Sequence, residues 1–208
     1  MLSEIKKISS LLLSVAFSSI GFIASITVTV LAAREVSSNP LFVGFPNAVG
    51  VGGAVLGTRM IYLISKNNSQ LNALAFTFLI GAFGGAIMFY SLIVDSFILL
   101  LFGAFILGIG QSATLQTRYA ASFVASEKFK ATALSLAVWF SVFGSIFGPR
   151  MVGSYSNFFE NIFNSELIVG YVIALVGMLF AASSLFIFTS KKSILRSPSN
   201  LELSLIHI

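Results

Sequence analysis

Six long apolar stretches constrain this chain more than any other feature of its sequence. They cover about residues 8–33, 41–65, 71–94, 97–119, 131–153 and 167–189. Each stretch is long enough to cross the hydrocarbon core of a bilayer, which takes about 20 helical residues. Helices satisfy their own backbone hydrogen bonds in lipid, and the sequence lacks the short alternating segments of a β-barrel. We therefore predict an all-α membrane protein, with six transmembrane helices in a domain that covers residues 1–189.

The composition agrees with lipid as the solvent. Hydrophobic residues make up 57% of the 208 residues and charged residues only 9%, whereas soluble domains carry about 25% charged residues. A water-soluble fold of this length could not hide so many apolar segments from water. Lys6 and Lys7 precede the first stretch as they would in a signal peptide. That stretch is too long for a signal sequence, so we interpret it as an uncleaved first helix.

The charges between the stretches predict how the chain is oriented. On one set of alternate connections, both ends included, lie Lys6, Lys7, Lys66, Lys128, Lys130, Lys191, Lys192 and Arg196. The opposite set holds Arg34 and Arg150, balanced by Glu35, Asp95, Glu160 and Glu166. Because basic residues concentrate in cytoplasmic loops, we predict that both termini are cytoplasmic. As a separate expectation, the membrane is the plasma membrane of a bacterial cell. The net charge of +5 is then an orientation signal and not a nucleic-acid site. The longer connections, residues 120–130 and 154–166, are expected to be loops.

Groups that most enzymes need are missing from the stretches. The sequence has no cysteine, and its single histidine is His207. Disulfides, thiolate metal sites, histidine metal clusters and a Ser-His-Asp triad are therefore excluded. A membrane-embedded enzyme would need a nucleophile with a base, or metal ligands, inside the stretches, and no such set is present. We predict no enzyme activity, no cofactor and no metal.

Polar residues inside the stretches are the best candidates for a site, because each is costly in hydrocarbon. In the first stretch, the residues that fall within roughly 60° of one another on a helix are Ser14, Ser18, Ser25 and Thr29. In the fourth, the residues that share a face are Gln111, Thr114 and Arg118. Serine and threonine stripes also mediate helix packing, and Arg118 could instead reach the interface, so both interpretations stay open. Arg59 is a further candidate. Asn47, Trp139 and Tyr171 are minor candidates, and packing or a position at the interface is the favoured interpretation of each.

Four motifs in the second half of the chain carry a family resemblance. The fifth stretch contains Gly144, Gly148, Pro149 and Gly153, and small residues four apart let helices approach closely. Upstream lie Gly108-Ile109-Gly110-Gln111, Arg118-Tyr119-Ala120-Ala121 and the charged segment Ser126-Glu127-Lys128-Phe129-Lys130-Ala131. This combination resembles the major facilitator superfamily of transporters, whose members often have a glycine-rich fourth helix, an acidic-basic loop and a fifth helix ending in GxxxGP.

The sequence departs from the superfamily pattern in the loop after the second helix. Only Lys66 keeps its basic character there, and the aspartate position is Ser65. The later basic positions are Ser69 and Gln70, and Ala104 stands where an arginine is sometimes found. Any gating role that the superfamily gives to this loop does not carry over to these residues.

The resemblance implies a fold and a function. A six-helix half of this superfamily consists of two inverted three-helix repeats, and its first and fourth helices line a central cavity. The two polar stripes would then face each other across that cavity. The implied function is secondary active transport of a small solute by alternating access, with a C-terminal six-helix half as the missing partner. The alternative is a complete six-helix channel or small permease that works as a homo-oligomer.

The last residues of the chain differ in character from the stretches. Residues 190–202 are polar and are predicted to form a cytoplasmic linker. Residues 203–208 match the in-frame translation of a transposase adapter used in sequencing libraries, CTG-TCT-CTT-ATA-CAC-ATC. We therefore expect that residues 203–208, with His207, are encoded by the adapter and that the chain is a fragment. An apolar tail that contacts the membrane is the alternative.

Overall fold

The structure, a computed structural model, describes residues 2–37, 40–163 and 165–189. In these ranges the helices are α1 (Leu2–Val36), α2 (Phe45–Asn67), α3 (Gln70–Ile93), α4 (Phe97–Val124), α5 (Lys130–Phe163) and α6 (Ile168–Thr189). Each of the six contains a span long and apolar enough to cross a membrane. The prediction of an all-α protein with six transmembrane helices is therefore confirmed. The expected linker, residues 190–202, and the expected adapter-encoded residues 203–208 lie outside the described residues.

Local signals set the ends of the middle helices. The hydroxyl of Ser69 accepts a hydrogen bond from the backbone N–H of Asn72 and caps the start of α3. Ser96 caps α4 in the same way, through the N–H of Leu99. Such caps satisfy N–H groups that have no partner within the helix. Between α3 and α4, Asp95 has a φ of 50°, a left-handed conformation that suits a tight turn. Successive helices thus reverse direction within a few residues.

Two segments that the sequence predicted as loops are largely helical. Within residues 120–130, α4 continues to Val124 and a short 3-10 helix, Glu127–Phe129, leads into α5. Within residues 154–166, α5 continues to Phe163. No glycine or proline interrupts this extension, and the ring of Phe163 packs edge-on against that of Phe89 in α3 at 5.4 Å. The loop predictions were wrong because the end of an apolar stretch marks only where contact with lipid ends. The helix itself continues beyond that point into the membrane–water interface.

The helices pack in a pattern that repeats between the two halves of the chain. Helix α1 packs against α5 and α6, and α4 packs against α2 and α3. Helix α3 packs against α6, and α1 also contacts α4. If α1, α2 and α3 are exchanged with α4, α5 and α6 respectively, the same set of packing pairs results. Helices α2 and α5 are the least buried of the six described, so the core lies among α1, α3, α4 and α6.

Glycines on α5 bring that helix against α1. A Cβ atom on Gly144 would lie 2.6 Å from the Cβ of Ser19, and one on Gly148 would lie 3.0 Å from the backbone N of Ala24. Both positions therefore face α1 at close range. Gly153 has nothing within 4 Å of a Cβ built there. Pro149 lies inside α5 and is exposed.

Glycines on α2 make the corresponding contact with α4. A Cβ on Gly57 would lie 2.6 Å from the carbonyl oxygen of Ile109. Gly108 of α4 in turn lies directly against the backbone of Gly50. Close approach of this kind is how transmembrane helices gain packing energy without a hydrophobic driving force between them. The α2–α4 and α5–α1 contacts are thus built by the same means.

Candidate functional site

Two cavities lie next to each other along the contact between α1 and α4. The first has a volume of about 260 Å³ and is bounded by α1, α2, α3 and α4. The second has a volume of about 220 Å³ and is bounded by α1, α4 and α5. Phe22 of α1 and Gln111 of α4 line both cavities. An aromatic ring and an amide therefore stand where the two cavities meet.

The polar side chains that α1 and α4 present to these cavities form what we call the seam. Its members are Ser19, Ser25, Thr29, Gln111, Thr114 and Arg118. Ser25 and Thr29 line the first cavity, Ser19, Thr114 and Arg118 line the second, and Gln111 lines both. The seam follows α1 from residue 19 to residue 29, a rise of about 15 Å at 1.5 Å per residue.

The first cavity is mostly apolar, with a few polar groups. The hydroxyl of Thr29 donates to the carbonyl oxygen of Ser25 at 2.7 Å, and the hydroxyl of Ser25 lies 4.0 Å from the sulfur of Met88. Asn47 contributes an amide from α2, and the small side chain of Ala104 leaves space on α4. A concave, largely apolar site with a few polar groups is typical of small-molecule binding.

The second cavity contains polar atoms that have no partner. Nε of Arg118, Oγ1 of Thr114 and Oγ of Ser19 are all buried without a hydrogen bond. The whole residues Ser19 and Thr114 are only 3% and 4% exposed. Buried polar groups in folded proteins are nearly always hydrogen-bonded, so three unpaired groups around one cavity require an explanation. Ser141 and Ser145 of α5 complete the polar lining.

No acidic side chain neutralises Arg118 in the part of the chain that the structure describes. The ion pair found there joins Lys130 to Glu127 at 2.6 Å, at the start of α5. Arg118 is partly buried, and its Nε has no access to solvent. A side chain that simply extends to the interface would not bury this atom. The guanidinium group therefore belongs, at least at its base, to the wall of the second cavity.

The serine stripe of α1 is turned mainly toward α6. The hydroxyl of Ser14 donates to the carbonyl oxygen of Ala181 in α6 at 3.2 Å, and the hydroxyl of Tyr171 in α6 donates to Thr29 at 3.5 Å. Ser18 donates to the carbonyl oxygen of Ser14 at 2.7 Å and lines neither cavity. Only the edge of the stripe that carries Ser25 and Thr29 borders a cavity. The sequence predicted that the polar stripes of α1 and α4 face each other across a cavity. In the structure only Ser25 and Thr29 of the α1 stripe border one.

Sequence reasoning did not select Ser19. A helix turns by about 100° per residue, so Ser19 lies well outside the stripe that contains Ser18. The pattern of polar residues along α1 therefore does not indicate that Ser19 faces a cavity. Ser141 and Ser145 were also not selected, and Asn47 was interpreted as a packing residue. Arg59 is exposed on α2 and lines neither cavity.

Comparisons with known proteins identify relatives of this chain. No protein-family model matches it, and no solved structure matches it. It is 29% identical over 175 residues to the MFS-type transporter YdeG of Bacillus subtilis, an alignment that covers 84% of this chain and 41% of YdeG. It is 30% identical over 183 residues to the MFS-type transporter YddS of the same organism, covering 88% of this chain and 42% of YddS.

A third relative is more distant. The chain is 28% identical over 122 residues to the riboflavin transporter RfnT of Brucella anthropi, covering 59% of this chain and 31% of RfnT. The chain thus spans about two fifths of the length of the two Bacillus relatives.

Proposed function

We propose a transport route for this chain, which belongs to the major facilitator superfamily of membrane transporters. Its relatives are transporters, so the predictions of a multi-pass membrane protein and of a non-enzyme are confirmed by homology. Its general function is membrane transport by a permease of this superfamily. The homology does not favour a complete six-helix channel that works as a homo-oligomer.

The route that we propose follows the seam between α1 and α4. The observation that carries this proposal is that two cavities on successive parts of α1 and α4 meet at Phe22 and Gln111. A solute that leaves one cavity for the other passes these two side chains. The seam covers about 15 Å of the roughly 30 Å hydrocarbon core. Opening the bundle at one end and then at the other would give each cavity access to one side of the membrane, as in alternating access.

The chain supplies one six-helix half of this route. It spans about two fifths of the length of its relatives, which supports a complete transporter with a further membrane domain. Helices α2 and α5 flank the seam and are the least buried of the described helices. We assign their open surfaces to contact with that second half. The shared packing partners of α1–α3 and α4–α6 support the interpretation that this half contains two inverted three-helix repeats.

The orientation follows from the charges at the helix ends. Lys66 ends α2, and Lys128 and Lys130 lie at the connection between α4 and α5, which the helix order places at the same end of the bundle. Asp95 and Glu166 lie at the other end, where both interact electrostatically with Glu35. Basic loops stay in the cytoplasm. The lysine end is therefore cytoplasmic, in the plasma membrane of a bacterium.

Blocking the first cavity tests the transport route. Ala104 lines it on α4, and Ala104→Trp would place an indole into its 260 Å³. Phe102→Trp is the matched control, since Phe102 lies on the same helix, is 54% exposed and lines neither cavity. Cells would express the complete gene or either variant, and mass spectrometry would compare solutes in the cells and in the medium. Expression in the membrane would be equalised by immunoblot.

The expected result is a change in at least one solute with the wild-type gene. That change disappears with Ala104→Trp and persists with Phe102→Trp. If Ala104→Trp changes the solute as the wild type does, the seam is not the route. If the wild-type gene changes no solute at verified expression, the proposed transport is itself wrong.

A further inference from the structure

We propose that Arg118, Thr114 and Ser19 form a binding site for an oxyanion, the carboxylate or phosphate group of the transported solute. The assignment to a solute rests on the proposed transport route, because the three side chains line the second cavity of the seam. Thr114 lies one helical turn before Arg118 on the same face of α4, and Ser19 is supplied by α1. The site therefore lies between the two helices that form the route.

The positive charge of Arg118 favours an anionic ligand. An arginine cannot lose its proton under ordinary conditions, and a cation inside a membrane helix needs a partner. Among the described residues, Glu127 already forms an ion pair with Lys130. Glu35, Asp95, Glu160 and Glu166 lie at the opposite end of the bundle. None of the described residues that line the second cavity with Arg118 carries a negative charge.

The hydroxyls of Thr114 and Ser19 differ in their hydrogen bonding from most other buried hydroxyls of the bundle. Thr117, one residue before Arg118, donates to the carbonyl oxygen of Ala113 at 2.7 Å. Other buried hydroxyls donate to their own helix in the same way, namely Ser18, Thr29, Thr77, Ser91 and Ser112. Thr114 and Ser19 make no such bond. Their donors are free to point into the cavity.

One other buried hydroxyl in the described chain lacks a hydrogen-bond partner. Ser10 on α1 also has a buried, unpaired Oγ, but it lines neither cavity. The second cavity is distinguished by the combination of an unpaired guanidinium nitrogen with two unpaired hydroxyls. One unpaired hydroxyl would not suggest a ligand.

The chemistry of the donors around the second cavity also fits an oxyanion. A guanidinium group presents a planar fork that matches the two oxygens of a carboxylate or phosphate. Hydroxyls add single donors to an oxyanion, and here they come from α1 and α4, on both sides of the cavity. A volume of about 220 Å³ is large enough for such a group. The rest of the solute would extend past Gln111 into the first, more apolar cavity.

The phosphate of a lipid headgroup has the same chemistry as that of a solute, so the experiment must separate the two sources. The 208-residue chain contains one tryptophan, Trp139, whose fluorescence can report unfolding. The chain would be purified into phosphatidylcholine nanodiscs. Its melting temperature would be measured against increasing sodium phosphate or sodium acetate, with sodium chloride at matched ionic strength as reference. A second set would use phosphatidylglycerol nanodiscs without added anion.

The variants are chosen in matched pairs. Arg118→Gln removes the charge at the second cavity, and Arg59→Gln removes the charge of an arginine that lines neither cavity. Thr114→Val removes an unpaired hydroxyl at nearly constant shape, and Thr117→Val removes a paired one on the same helix. A ligand that binds only the folded chain raises the melting temperature. Phosphate or acetate should therefore raise it for the wild type, Arg59→Gln and Thr117→Val.

The predicted losses are specific. Arg118→Gln should abolish the rise, and Thr114→Val should weaken the anion affinity by about tenfold, the loss of one charge-assisted hydrogen bond. If Arg118→Gln unfolds, the comparison of Thr114→Val with Thr117→Val still decides. If the melting temperature rises in an Arg118-dependent way only in phosphatidylglycerol nanodiscs, the assignment to a solute is wrong and the oxyanion is a lipid phosphate. The proposed site is wrong if no anion produces a rise in melting temperature that depends on Arg118 or Thr114.

This outcome is independent of the transport screen. If anions bind as predicted while the wild-type gene moves no solute, the route is wrong and the anion site stands. If the screen succeeds and anion binding is absent, the route stands and the oxyanion assignment is wrong.

Discussion

The contact between α5 and α1 at Gly144 gives a quantitative prediction for one methyl group. In Gly144→Ala, the added Cβ would lie 2.6 Å from both the backbone C and the Cβ of Ser19, and 2.7 Å from its carbonyl oxygen. Carbon atoms pack at about 3.5–4.0 Å, so the gap must widen by about 1 Å. None of the three atoms is the end of a flexible side chain. The helices themselves must therefore separate.

The size of the effect follows from a comparison with Gly153→Ala. Overpacking of a well-packed contact costs about 1–3 kcal/mol, while replacing glycine by alanine inside a helix contributes up to about 1 kcal/mol of stability. A Cβ built on Gly153 has nothing within 4 Å, so Gly153→Ala gains only the helix stability that alanine contributes. Both glycines lie in α5, and the helix contribution cancels in the difference. We expect Gly144→Ala to be less stable than Gly153→Ala by about 1–3 kcal/mol.

The assay is thermal unfolding of the purified chain in one detergent, followed by the fluorescence of Trp139. Gly153→Ala should melt at or above the temperature of the wild type, and Gly144→Ala below it. Because Ser19 lines the second cavity, anion binding should weaken in Gly144→Ala as well. Equal melting temperatures for the two variants would refute the close α5–α1 contact.

Three further predictions concern other parts of the bundle. Gly57→Ala should lower the melting temperature relative to Gly52→Ala, because its Cβ would lie 2.6 Å from a carbonyl oxygen of α4 while Gly52 has open space. Tyr171→Ala should cost about 3–5 kcal/mol, as for other large buried rings, since Tyr171 is 0% exposed. Tyr171→Phe should cost about 1 kcal/mol or less, since its hydrogen bond is long at 3.5 Å, and equal losses for both variants would contradict this. In intact cells a membrane-impermeant maleimide should label Glu166→Cys and spare Asn68→Cys, whereas the reverse pattern would invert the proposed orientation.

The six helices were predictable from the sequence because lipid imposes one requirement on every span. A stretch of about 20 apolar residues must form a helix to satisfy its backbone in hydrocarbon. The helix ends were less predictable, since the interface places no such demand on the chain. The continuation of α5 to Phe163 depends on a ring contact with Phe89, which lies 74 residues earlier in the chain. Hydropathy contains no information about such a contact.

The candidate site was predictable in part, for a similar reason. Helical spacing puts Gln111, Thr114 and Arg118 on one face of α4, and all three line the second cavity. Spacing does not reveal which neighbour a face meets. On α1, a Cβ on Gly21 would lie 3.0 Å from the Cα of Ala174 in α6, so packing turns the serine stripe toward α6. That rotation brings Ser19 to the cavity.

The water accessibility of Gln111 tests the central claim most directly. The chain has no cysteine, so Gln111→Cys creates a single reactive thiol where the two cavities meet. Ala113→Cys is the matched control, because Ala113 lies on the same helix, is 0% exposed and lines neither cavity. A small water-soluble thiol reagent, applied to the chain in membranes, should modify Gln111→Cys much faster than Ala113→Cys. Equal and slow modification of both would show that the seam is dry helix packing, with no route for a solute.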